Sequence, residues 1–304
     1  MLALVDIISE NPMLTTTARH SDMSDDSDSP DVECFRTLPD DTFEATGSEA
    51  SAIRRVIKEQ QKLPIEVIKY LHFTNVPPPI ADTFSLRSAR HMFNYDTRSM
   101  IVKLLTGTHE VASRRLYLAV QLAVINMGLD DSIESVGSNR VRGVSSSKEA
   151  DESWTPMQPV PGRDTKWPTV VVEVGVSESY QKLKADAEWW LTNSKGDVKL
   201  VIIVSVNRKT PNIKFETIFL DTVVSSLRHQ RHQRPRYVPT IRQSITISRL
   251  PPPGPQITIS PAVALTIESE ELFCRQPVQP EQNIQISPAQ LGNISSRVWR
   301  EQGL

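Results

Sequence analysis

The chain has 304 residues, a formal net charge of −2, 38% hydrophobic and 23% charged residues, 22 Pro, 11 Gly and only 2 Cys. That length allows one large domain or two small ones with chain to spare, and an apolar share below the usual globular range implies that only part of it packs a core. Two cysteines, Cys34 and Cys274, exclude a disulfide-framed secreted scaffold, and no apolar run approaches the ~20 residues of a membrane span.

The start MLALVDIISE carries Asp6 and Glu10 and lacks a basic beginning. The expectation is a soluble, reducing, intracellular setting, cytoplasmic or nuclear. The net charge averages two unlike parts. Residues 1–50 hold 12 acidic and 2 basic residues, a balance of −10, which leaves +8 for the remainder. A basic body is compatible with a nucleic-acid partner.

Residues 1–34 read as a disordered acidic head, because the Ser- and Asp-rich stretch from Ser21 to Asp31 has no apolar period to bury. Residues 35–97 read as a helical and irregular segment. In it Ser48 is a candidate N-cap for a helix carrying Ile53, Val56 and Ile57. Pro64 ends or restarts that helix, with Ile65, Ile68 and Leu71 beyond, and Pro77, Pro78 and Pro79 predict a rigid extended break. A long helix is predicted over Thr108 to Met127, with Leu116, Val120, Ala123 and Val124 on one stripe and Gly128 as C-cap. A polar loop follows from Gly137 to Ser147.

Residues 148–206 are the most informative. After KEADESW and a Pro-rich turn come the β-branched run TVVVEVGV, the helix SYQKLKADAEWWLTNS closed by Gly196, and the apolar strand DVKLVIIVSV. Strand, crossover helix and strand predict two parallel strands of one sheet, covered on both faces. IKFETIFL continues the sheet. SITISR, QITISP and ALTIE predict short C-terminal strands, and Leu291, Ile294 and Val298 a closing helix.

Glu173 stands inside this Val-rich run. A carboxylate there is costly unless it is paired, hydrogen-bonded or bound to a metal. Strand alternation places Val171, Glu173 and Gly175 on one face, and Gly175 leaves space beside the acid. Asp151, in KEADES, is the second acid. Two carboxylates converging from neighbouring strands make a hard-oxygen site suited to Mg²⁺ or Mn²⁺, which polarises a phosphoryl oxygen and activates a water. A structural acid neutralised by an internal Arg is the competing account of Glu173.

The text KEADESW…WPTVVVEVGVSESYQKLKADAEWWL…GDVKLVIIVSV resembles the restriction-endonuclease-like, PD-(D/E)XK superfamily, and within it a group of fungal proteins carrying that core. The resemblance covers roughly residues 98–220. It implies an α/β fold, a mixed central sheet flanked by helices in the order α-β-β-β-α-β; outside it, residues 221–304 read from their own composition as a basic loop and Pro-rich, β-like extension. It implies Asp151 as the motif Asp, Glu173 as the motif acid of the next strand and Glu110 as an accessory acid on the first helix.

Two positions depart from the motif. Ala150 replaces the Pro before the Asp, and Gly175 stands where the motif Lys follows the acid. Some members place that Lys on the following helix, which makes Lys182 the first candidate and Lys184 and Lys199 weaker ones. The implied function is metal-dependent phosphodiester hydrolysis, with Asp151 and Glu173 holding the ion and Lys182 assisting the water. The alternative is a catalytically inactive module of the same fold that binds nucleic acid or protein, which Gly175 favours.

Other motifs carry less. No GxGxxG or GxxxxGK[ST] loop is present. Ser177 reads as a helix cap rather than a nucleophile. His229 and His232 lack a partner cluster for zinc, and the basic near-repeat RHQRHQRPR at residues 228–236 offers phosphate contacts or a solvated loop. Trp190 is expected in the core, and Trp189 against the C-terminal segment.

Overall fold

The computed structural model describes residues 29–64, 69–176, 180–223, 236–250 and 256–304. The bulk of the acidic head, Ile65 and Ile68, Ser177, the two histidines of the basic repeat and residues 251–255 lie outside them.

The chain opens with α1 (Pro30–Arg36), β1 (Phe43–Thr46), α2 (Ala50–Lys62), β2 (Lys69–Thr74), α3 (Pro78–Thr83), β3 (Ala89–Asn94) and β4 (Ser99–Leu104). Three expectations change here. Residues 30–34 belong to α1, because Asp31 and Cys34 are buried against the core rather than solvated. Glu49, not Ser48, is the N-cap of α2. The three prolines start a helix instead of forming an extended break: Pro77 is the N-cap and Pro78 and Pro79 fill the first turn of α3, where a missing N–H leaves no helical bond unmade. The segment 35–97 thus contributes three strands, and β3 pairs with β4 across residue 97.

Next come α4 (Gly107–Asn126), β5 (Ile133–Ser135), β6 (Arg140–Arg142), β7 (Ser146–Glu149), β8 (Glu152–Pro156), β9 (Val170–Val176), α5 (Tyr180–Asn193), β10 (Leu200–Val206), β11 (Asn212–Val223), β12 (Arg236–Arg249) and β13 (Ile257–Ser260). Thr106 caps α4 by accepting from the amide of His109, and the helix starts at Gly107, one residue ahead of the predicted start. The expected polar loop from Gly137 contains β6 and the start of β7. The chain ends with β14 (Leu265–Ile267), α6 (Ser269–Phe273), β15 (Ile284–Ile286) and α7 (Pro288–Glu301), which packs on α4.

Two mixed sheets form the frame. One has the order β1-β2-β4-β3-β7-β6 and the other β13-β12-β11-β10-β9-β8-β5. In the second, β5 and β8, then β8 and β9, are antiparallel, β9 and β10 are parallel, and β10 and β11 are antiparallel. The series α4, β5, β8, β9, α5, β10 is therefore the expected α-β-β-β-α-β order around a mixed sheet, with β6 and β7 diverted to the other sheet. Every residue of β9 is buried, as a strand covered on both faces requires.

The first sheet feeds two cores. Leu71, Phe73, Phe93, Met100 and Val102 face α2 and α3. The alternating positions Tyr70, Met92 and Ile101 join the large core of α4, α5 and the second sheet. Each fully buried Val, Leu or Ile contributes about 1.5–3 kcal/mol, so both faces are strongly specified. Trp190 packs edge-on against both Trp167 and Trp189, with 5.0 Å between the Trp189 and Trp190 ring centroids. Trp189 does not meet the C-terminal segment. Its Nε1 donates to Asp31 of α1 (2.8 Å) and to Ser146 of β7 (2.7 Å), which ties α1 to α5. Among the described residues no helix is long and apolar enough to cross a membrane.

Candidate functional site

The chain passes from the first sheet to the second between β7 and β8, and Asp151 stands in that break. Its backbone amide still bonds Val172 O of β9 at 3.2 Å, so its side chain is fixed at the junction of the two sheets. Asp151 Oδ2 accepts from the amide of Val174 (2.8 Å) and from Lys103 Nζ (3.0 Å), and it lies 3.0 Å from His109 Nε2. Oδ1 is buried without a hydrogen-bond partner, 3.8 Å from Arg90 Nε. Burial pushes this carboxyl up, but His109, Lys103 and Arg90 together outweigh it and hold the group well below the usual carboxylate range. Burial likewise opposes a charged His109, and Asp151 overrides it and raises the imidazole.

Glu173 points from β9 toward α5. Its Oε1 accepts from Trp190 Nε1 at 2.6 Å and pairs with Lys148 of β7 at 3.3 Å, and Oε2 lies 4.0 Å from Lys103. Burial lifts its carboxyl to about 7, against the pull of Lys148. The acid is held by lysines and an indole, not by the internal Arg considered from sequence.

Lys182 is buried, but its ammonium does not go to Glu173. It bonds Asp186 one turn on at 2.5 Å, and Asp186 also takes Lys148 at 2.8 Å. Burial raises the Asp186 carboxyl, but Lys148 and Lys182 overcome it and lower the group to about 2. Lys182 lines the same small cleft as Glu173 without addressing the two acids. Glu110, partly exposed on the first turn of α4, pairs with Arg114 (3.5 Å) and Arg90 (3.9 Å) and lies 3.8 Å from His109, so it is linked to Asp151 through Arg90 and His109. Lys199 bonds Gly196 O and lies away from the acids.

The lysine beside both acids is Lys103, on β4. Its ammonium donates to Asp151 Oδ2 and to Val174 O, the latter at 2.8 Å, and lies 4.0 Å from Glu173 Oε2. The sequence carried a signal for it: Lys103 interrupts Met100-Ile101-Val102-Lys103-Leu104, as Glu173 interrupts its own apolar run. Lys148 and Asp186 gave no comparable signal, since each sits in polar text.

Three carboxylates, Asp151, Glu173 and Asp186, thus face three ammonium groups, Lys103, Lys148 and Lys182. All of them except Asp151 line, with Tyr70 and Arg90, a cleft of about 20 Å³, room for roughly one water. The oxygen set suits a hard divalent ion by its chemistry. The residues as they stand do not fit one, because an ammonium already occupies the cradle and the acids are neutralised. Among the described residues no group of three or more His, Cys, Asp or Glu is placed to hold a metal.

No family model matches this chain, and no curated protein matches it significantly. Among solved structures it is similar to a chain from Anabaena variabilis described as "a putative nuclease belonging to DUF820". The likeness has a TM-score of 0.40 and 9% identity, and covers 71% of this chain and 96% of that one.

Proposed function

We propose that this protein is a nuclease-fold module that binds nucleic acid through its basic body and does not cut it. One observation carries the reading: the Lys103 ammonium lies among Asp151 Oδ2, Glu173 Oε2 and Val174 O, where a catalytic cation would be needed. The charge balance of +8 outside the first 50 residues supports a polyanion partner.

A second reading is favoured by the same lysine. Lys103 stands beside both acids, as the motif Lys of an active PD-(D/E)XK site would, and Glu173 has a carboxyl poised near neutral pH. Hydrolysis with Mg²⁺ or Mn²⁺ would then require the ammonium to leave its oxygens.

The experiment incubates the full chain with double- and single-stranded DNA and RNA, with and without millimolar Mg²⁺ or Mn²⁺. Salt-sensitive retention without cleavage is the expected result. Metal-dependent cleavage that disappears in Glu173→Gln would establish the second reading, and no retention at low salt would remove the nucleic-acid partner.

A further inference from the structure

The geometry points to Lys103 as a built-in cation that fills a latent divalent-metal site formed by Asp151, Glu173 and the carbonyl of Val174. This rests on the non-cutting reading above and gives its cause.

Four observations converge. First, the three oxygens come from one short stretch of the second sheet: Asp151 is held in register with β9, and Glu173 and Val174 are consecutive residues of that strand. The sheet fixes their backbone positions, and partners other than the lysine hold the side chains: the Val174 amide for Asp151 Oδ2 and Trp190 Nε1 for Glu173 Oε1. Second, Lys103 comes from the other sheet. It lies on β4 opposite Tyr70 of β2 and Arg90 of β3, on the face turned toward the second sheet. The cation is delivered across the interface, as a bound ion would be.

Third, one lone pair set is left over. Asp151 is 3% exposed, yet Oδ1 has no hydrogen-bond partner. A spherical ion binds carboxylate, carbonyl and leftover oxygen together, whereas an ammonium has three directed protons and cannot satisfy every lone pair. Fourth, the acids already have cations enough: three carboxylates face three ammonium groups, with Arg90 and His109 also beside Asp151. A divalent ion added beside Lys103 would leave an uncompensated buried charge, so lysine and metal exclude one another. The ordinary consequence is a core whose integrity is independent of metal supply, unlike folds whose sites collapse without their ion.

Removal of the ammonium is the test. Lys103→Ser empties the cradle while leaving a polar group beside it. The probes are Mn²⁺ and Mg²⁺ alone, added to the full chain and read by titration calorimetry and thermal unfolding.

The expected result is no Mn²⁺ binding by the unaltered chain and one site in Lys103→Ser. Mn²⁺ at about a hundredfold over its Kd should raise the Tm of the variant by about 5–10 °C and leave the unaltered chain unmoved. Lys103→Ser with Asp151→Asn should lose the gained site. If Lys103→Ser fails to fold without metal, refolding in Mn²⁺ should recover it.

A folded Lys103→Ser that binds no Mn²⁺, or one that no concentration of Mn²⁺ recovers, overturns the inference and leaves the nucleic-acid reading to its own assay. Equal Mn²⁺ binding by both chains overturns the inference and the non-cutting reading together.

Discussion

Glu173 and Glu216 are two buried acids in one row of one sheet. Glu173 pairs in register with Ile203 of β10, and Ile203 pairs in turn with Glu216 of β11, so both carboxylates leave the same face with one strand between them. Each is 1% exposed. Their partners differ in origin. Glu216 is neutralised by Lys214, two residues away on its own strand, at 2.7 Å, and accepts from Ser244 on the neighbouring strand at 3.0 Å. Lys214 is 36% exposed and keeps contact with water. Glu173 draws on Lys148 and Lys103, from two strands of the other sheet, and on Trp190 of α5. One acid is solved locally at the edge of the core, and the other only by assembling both sheets.

That contrast can be broken from its strong end first. Lys148→Met strips Glu173 and Asp186 of their shared cation and should cost about 3–5 kcal/mol in urea unfolding, the range for breaking a buried pair. A loss below about 1 kcal/mol would mean that the cluster rearranges freely.

The acid limb comes next. Asp186 has a folded pKa of about 2 against an ordinary 3.8, so the unfolded chain takes up its proton first. The stability this group contributes is present above about pH 4 and is lost as pH falls toward 2, about 2 kcal/mol in all. Asp186→Asn should flatten that fall and be less stable at pH 7. An unchanged slope would show that the titration belongs elsewhere.

The Glu216 end should be milder. Ser244→Ala removes one donor to a carboxylate and should cost about 1–2 kcal/mol. Lys214→Met should cost about 1–2 kcal/mol, less than Lys148→Met because its ammonium is partly solvated, though it leaves the buried Glu216 carboxylate without its cation. Raising the salt should weaken the Lys214 effect more than the Lys148 effect, which separates the two environments in one measurement.

Much of the frame was legible in the text. The β-branched runs at Val170–Val176 and Leu200–Val206, joined by a helix, predicted a parallel pair, because a crossover of that length leaves few other arrangements. Glu173 was legible as an oddity, since a carboxylate among valines needs a partner. Its partner was not. Lys182 was the first cation on the following helix, yet helix geometry turns it one turn along to Asp186, an i,i+4 neighbour whose contact the helix favours. Trp189 was misplaced for a related reason: its indole N–H needed an acceptor, and Asp31, in a stretch that reads as unfolded, supplies it.

By itself, then, the sequence determined the central strands of the second sheet, their crossover and the positions where charge enters a core, because periodicity and burial cost are properties of local text; the first sheet was not legible in it. Only the tertiary structure decided which charges meet. Lys103 and Asp151 are joined by the packing of one sheet on another, and no spacing along the chain encodes that distance.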